Sequence, residues 1–208
     1  NHQEHLNTWM KSIRKCGLNV RYVRSADDLT PYKAVIAPNL YTGTEEISSN
    51  LKSYVEQGGV LIASNRPGIF NEYGNPNQER MPCMMQDLFG MEIDEYERCL
   101  DVNRNSPVFD DETGLENAAC KDWVFILKLF TAKALAHFDS QFYEGKAGAS
   151  INKFGKGKAL YLGTFFDQDT NDRFLRYAVS LTDITPLPVD WNEDVEAVRL
   201  NAPDGKDI

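Results

Sequence analysis

Ser64 closes an apolar run, Val60 to Ser64, and the polar stretch after it carries Arg66 and Glu72. Hydrolases built on open sheets display a nucleophile at the carboxyl end of such a strand, so these residue types raise acyl transfer as one chemistry. The G-x-S-x-G elbow is missing, and none of the three histidines stands in an obvious base position. A serine without a base to take its proton is a poor nucleophile. Read as a surface instead, the loop Asn65 to Asn77 brings stacking faces and polar groups to the strand end. Arg66, Phe70, Glu72 and Tyr73 are therefore the candidate ligand-binding residues, suited to a sugar or another small molecule.

Other spacings carry less. Asp167, Asp169 and Asn171 have the one, three, five rhythm of a calcium loop, but Asp172 replaces its glycine and Ala178 its bidentate glutamate. Asp169 or Thr170 capping the next helix is the simpler expectation. His2, Glu4 and His5 sit in what reads as a frayed first helical turn, so no metal site is expected there. His137 alternates into an apolar strand as a structural residue. Gly155-x-Gly157 precedes a strand and does not open a helix, so no phosphate would meet a helix N-terminus, and no cofactor is expected. The acids at 92–97, 110–112 and 190–194 read as solvated faces, with no pair placed across a sugar cleft. No catalytic residue is predicted.

The elements that would hold these residues follow from periodicity. Leu6, Trp9, Met10 and Ile13 keep one helical face, with Gly17 placed to end it. Val20 to Val23 reads as a short strand and Tyr32 to Pro38 as a buried one. Thr42 with Glu45 fits a capping box for a helix carrying Ile47, Leu51, Tyr54 and Val55, closed by Gly58 and Gly59 before the strand Val60 to Ser64. Strand, helix and strand at this spacing predict an α/β fold with a doubly wound, mostly parallel sheet. Because such a fold normally begins with a strand, the opening helix suggests that a strand precedes it.

Pro82 can open a helix carrying Met81, Met85, Leu88 and Phe89 and ending at Gly90, with a strand over Met91 to Glu97. From Arg98 to Asp122 the pattern fails and predicts a long surface excursion. Added antiparallel strands follow at Val124 to Phe130, Ala132 to Phe138, Gly148 to Phe154 and Lys158 to Thr164, the last two joined by a turn at Gly155-Lys156-Gly157. Phe174, Tyr177, Ala178 and Leu181 restore a helix. Residues 1–185 form one expected domain, and 186–208 read as a Pro186 and Pro188 linker entering a further β domain at Val195 to Leu200.

Charge and composition narrow the partners. A net charge of -9 would repel a phosphate backbone, and the 22 Lys and Arg are scattered, so nucleic acid is excluded. No apolar run is long enough to span a membrane, and none is expected as a partner. Cys16, Cys83, Cys99 and Cys120 are widely spaced without a C-x-x-C pair, which reads as free thiols and leans toward the cytoplasm, with a periplasmic or secreted protein left open.

Taken in order, the opening helix into GLNVRYV, the strand YKAVIAPNLY, LKSYVEQGGVLIAS, the LFG turn, FYEGKAGASINKFGKGKALYLGT and VEAVRL resemble the trimerisation domain of glycoside hydrolase family 42, the beta-galactosidases. The resemblance covers nearly the whole chain. It implies a class I glutamine-amidotransferase-like fold with flavodoxin-like layers. It also implies a domain that follows a catalytic TIM barrel and precedes a small β domain, within a homotrimer. The catalytic glutamates would lie on that barrel, so the chain would assemble subunits and wall their clefts, with a galactoside substrate near the interface. Amidotransferases carry a nucleophilic cysteine on the elbow that corresponds to Ser64 and Asn65, and no cysteine stands here, so the resemblance carries no activity. The loops 66–80 and 98–122 depart most from the family pattern. A stand-alone sugar module ranks second, and a diverged hydrolase using Ser64 third.

Overall fold

The computed structural model describes residues 2–100, 106–115 and 118–188. Helix α1 (His2–Lys15) buries Trp9 and Ile13 on one stripe and ends before Gly17, whose φ of 63° suits a residue without a Cβ. Strand β1 (Ala34–Ala37) is apolar yet only half buried. Helix α2 (Glu45–Glu56) is capped by Thr44, whose side chain accepts the Ile47 amide at 3.2 Å. The expected cap, Thr42, instead forms a backbone bridge to Phe70. Only Thr42 has an acid three residues on, so the capping-box spacing points to the wrong threonine.

Strand β2 (Val60–Ser64) is buried along its whole length. Helix α3 (Gln86–Phe89) is one turn long and ends at Gly90. The helix expected to open at Pro82 does not form there, because Met84 at φ 63° breaks the helical backbone. Strand β3 (Met91–Arg98) follows, then β4 (Val108–Phe109), a single 3-10 turn at Asp111–Thr113, β5 (Cys120–Leu129) and β6 (Lys133–His137). Strands β7 (Ala147–Phe154), β8 (Gly157–Leu162) and β9 (Thr164–Phe166) lead into helix α4 (Gln168–Ser180). Asp167 caps α4 by accepting the Thr170 amide at 2.9 Å, in place of the expected Asp169 or Thr170.

One mixed sheet runs β1-β2-β8-β7-β5-β3, with β4 on β6, β6 also on β7, and β9 on β5. Strands β1, β2 and β8 are parallel, and the remaining pairings are antiparallel. Side chains alternate across β2. Val60 and Ile62 meet α1 and α4 through Trp9, Ile13, Phe174 and Leu175, whereas Leu61 and Ala63 meet Leu51, Tyr54, Val55 and Leu88 of α2 and α3. Helices on both faces make this the expected doubly wound α/β arrangement, with the antiparallel strands added on one side.

Two expectations change. Val20 to Val23 is not a strand: it makes no ladder with β1, and Val20 and Tyr22 are 47% and 78% exposed. Among the described residues its alternation has no neighbouring strand to pair with, and a lone extended segment does not qualify as sheet. The excursion predicted from Arg98 to Asp122 contains β4 and the start of β5, because Phe109 is drawn onto Phe166 and Phe174 at ring separations of 5.7 and 6.2 Å. A two-residue strand fixed by one aromatic leaves no periodic signal. The strand expected at Val195 to Leu200 lies outside the described residues.

Candidate functional site

At the carboxyl ends of β1 and β2 a cavity of about 270 Å³ is lined by residues from five parts of the chain. Asn39 and Tyr41 follow β1, Asn65 to Phe70 follow β2, and His5 descends from the first turn of α1. Asp122, Trp123 and Phe125 come from β5, and Phe165 from β9. Open α/β sheets place ligands at this end because loops diverge there from rigid strands.

Asn65 takes the elbow after β2 with φ of 63°, a conformation that asparagine tolerates better than most residues. Its side-chain amide donates to the Asn39 Oδ1 at 2.6 Å, and its carbonyl accepts the Tyr161 hydroxyl. Tyr161 is wholly buried beside it, and that desolvation raises its phenol well above the usual range. The elbow is therefore a fixed structural feature that carries an amide.

Ser64 lies one residue inside the strand and is fully buried. Its Oγ is 2.9 Å from the Pro38 carbonyl and 2.8 Å from His5 Nε2. A carbonyl can only accept, so the hydroxyl donates to Pro38 and accepts from His5; this assigns the proton to Nε2 from the partners. Trp9 Nε1 reaches the same ring nitrogen only at 3.4 Å. In this arrangement His5 cannot take the serine proton, and no substrate carbonyl can reach Oγ. The pair is a clamp tying α1 to β1 and β2, and it does not activate a nucleophile.

His5 was expected in a frayed turn and is instead 3% exposed, with its ring edge on Phe165 at a centroid separation of 4.4 Å. Only the long-range contact with Ser64 identifies it, and local sequence holds no trace of that. Glu4 turns elsewhere, 3.9 Å from Lys121. Among the described residues no cluster of His, Cys, Asp and Glu is arranged to hold a metal ion. Asp167 is occupied as a cap, Asp169 pairs with Arg173 at 3.2 Å, and Asn171 donates to Ser12 at 2.9 Å, so their oxygens do not converge. His137 Nδ1 meets Asp110 at 2.7 Å at the end of β6.

The four candidate ligand-binding residues separate. Arg66 and Phe70 line the cavity. Glu72 and Tyr73 sit on a turn held by Asn71, whose Oδ1 accepts the Tyr73 and Asn75 amides at 3.0 Å each, and Tyr73 is 80% exposed. Arg66 spreads its guanidinium over Trp123, Tyr96 and Phe125 at 5.0, 5.2 and 5.9 Å from the ring centres. No carboxylate among the described residues comes within ion-pair reach of it. The site thus offers a stacked cation, amides and aromatic faces, which suits binding far better than bond cleavage.

Comparison with known proteins gives one consistent result. The family profile described as the beta-galactosidase trimerisation domain matches residues 1–185. The chain is 32% identical over 166 residues to beta-galactosidase BgaA of Clostridium cellulovorans, covering 80% of this chain and 25% of that protein. It is 29% identical over 201 residues to beta-galactosidase BgaB of a Geobacillus species, covering 97% of this chain and 29% of that one. Among solved structures, a cold-adapted beta-galactosidase from Rahnella sp. R3 superposes with a TM-score of 0.88 at 24% identity, over 96% of this chain and 30% of that one. The beta-galactosidase from Bacillus circulans sp. alkalophilus also gives a TM-score of 0.88, at 23% identity, over 96% and 30% of the two chains. The chain spans under a third of the length of each.

Proposed function

The chain belongs to the beta-galactosidase trimerisation-domain family, and from that premise we propose that it is the non-catalytic assembly domain of a longer beta-galactosidase-like glycoside hydrolase. Its partners are the catalytic TIM barrel of the same parent chain and the neighbouring subunits of a homotrimer. Its task is to hold the barrels together and wall their active-site clefts in carbohydrate metabolism. The match of the family profile across residues 1–185 carries this reading. The occluded Ser64 and the carboxamide on the elbow support it, since neither can supply a nucleophile.

Light scattering on the full-length parent protein tests the assembly. Three copies per particle are expected, falling to one when residues 1–185 are deleted. A parent that stays monomeric, or a deletion that stays trimeric, overturns the proposal. We further propose a cytoplasmic location, because burial raises the thiols of Cys16 and Cys83 and keeps them protonated, as suits a reducing compartment.

The Arg66 cavity supports a second reading, in which a galactoside or another sugar binds near the interface. Aromatic faces beside amide donors fit a sugar's apolar ring face and hydroxyls. Calorimetric titration with galactose and lactose decides it, and no heat at millimolar sugar would remove it.

A further inference from the structure

The Arg66 cavity carries polar groups that the fold itself does not use. Arg66 is half-buried, its guanidinium set over Trp123, Tyr96 and Phe125. A ring face attracts the charge but does not accept N–H groups as an oxygen does, and among the described residues no oxygen accepts from this guanidinium. Asn39 adds a second group. Its Oδ1 accepts from Asn65 at 2.6 Å and from the Tyr41 hydroxyl at 3.4 Å, which fixes Nδ2 as the donor end. That Nδ2 is buried on the cavity wall with no acceptor among the described residues. A buried donor left without an acceptor is costly, and such groups are kept mainly where a partner from elsewhere completes them. Asn65 supplies the complement: its Nδ2 is committed to Asn39, and its Oδ1 stays available as an acceptor. Asp122, an acid on the same wall, lies 3.9 Å from Arg98, which offsets its charge.

We propose that this cavity is a carboxylate-binding site whose ligand is a small hydroxylated acid of the sugar-acid class. The carboxylate takes the Arg66 guanidinium and the Asn39 amide, and a ligand hydroxyl donates to Asn65 Oδ1. A planar guanidinium matches a carboxylate through two parallel hydrogen bonds, whereas the hydroxyls of a neutral sugar leave its charge unanswered. Phe70 and Phe165 offer apolar faces to the carbon skeleton, and about 270 Å³ is room for a single sugar ring. The chain's net charge of -9 repels polyanions at long range, which favours a ligand with one carboxylate over one with several. The inference rests on the sugar-binding reading of this cavity for its location, and it replaces a neutral ligand with a charged one.

The test is calorimetry on the full-length parent protein with galacturonate and galactose, which differ by a carboxylate in place of a hydroxymethyl group. Galacturonate is expected to bind at millimolar concentration or below, and Arg66→Met to weaken it at least about tenfold while leaving galactose within about twofold. Arg66→Lys keeps the charge but loses the planar fork, so its affinity for galacturonate should fall between the two. Asn39→Asp still accepts from Asn65 but sets a like charge where the donor stood, and it should weaken galacturonate at least as much as Arg66→Met. If Arg66→Met fails to fold, Arg66→Lys and Asn39→Asp carry the test. No heat with galacturonate, or heat that the variants leave unchanged, overturns the proposal. An equal loss of galacturonate and galactose in Arg66→Met overturns it as well while keeping a neutral-sugar site, so the two readings fail separately.

Discussion

Ser64 is the residue at which a catalytic and a structural reading diverge most sharply. If it is a clamp, Ser64→Ala removes the acceptor of the buried His5 and leaves the half-buried Pro38 carbonyl with only the Asn65 amide at 3.5 Å, at a cost of about 1–3 kcal/mol. Chemical denaturation should show that loss, while the parent's turnover per folded molecule is unchanged. A normal midpoint with abolished turnover would restore the nucleophile. Tyr54 makes a separate statement about pH. Burial pushes its phenol up to about 12 from 10.0, so the neutral form is favoured in the folded chain. That contribution is fully present below pH 10, where the unfolded phenol is still protonated, and is lost as pH rises from 10 through 12. About 2–3 kcal/mol should disappear across that window. Denaturation midpoints between pH 9 and 12 check it, and Tyr54→Phe should flatten the decline by that amount.

At the level of elements, α1 and α4 are joined by a buried polar latch, and latches of this kind have steep single-site costs. The Asp172 carboxylate accepts from Ser12 at 2.5 Å, Gln168 at 2.6 Å and Lys15 at 2.8 Å. Asp172→Ala should destabilise the chain by about 2–4 kcal/mol, because Ser12 is fully buried and Lys15 is 30% exposed, so water repairs little of the loss. The β7–β8 hairpin is held against α2 just as tightly: a Cβ on Gly157 would stand 2.2 Å from the Val55 carbonyl oxygen and 2.3 Å from that of Gly59. Gly157→Ala should cost about 1–3 kcal/mol, measured by thermal unfolding, since both clashing atoms are backbone. The sequence showed the elements that carry their own apolar stripe or run: α1, α2, β2 and the hairpin strands. It missed β4 and His5, each fixed by a partner dozens of residues away, and the Thr44 cap, hidden by the better capping-box spacing of Thr42. Val20 to Val23 is the instructive miss. Its pattern is that of a strand, and among the described residues no neighbour supplies the ladder that would make it one.

At the scale of the whole molecule, the proposed reading shifts the question of function from this chain to a longer parent. Among the described residues the sheet ends at β3 on the side of the antiparallel strands and at β1 on the other. The Arg66 cavity opens at the strand ends, with the Tyr96 ring under the Arg66 guanidinium 52% exposed. On the proposed reading the domain contributes walls and contacts, and catalysis depends on it only through assembly. Specific activity of the parent should then depend on protein concentration. Diluted below the trimer's dissociation constant, it should fall to the level of a variant lacking residues 1–185, with KM rising more than kcat falls, because a lost wall weakens substrate holding while leaving the barrel carboxylates intact. Mass photometry run beside the assay separates the causes. Activity that drops while particles remain trimeric points to unfolding, and activity that stays flat as trimers dissociate removes the wall from the mechanism and leaves the domain as scaffold alone.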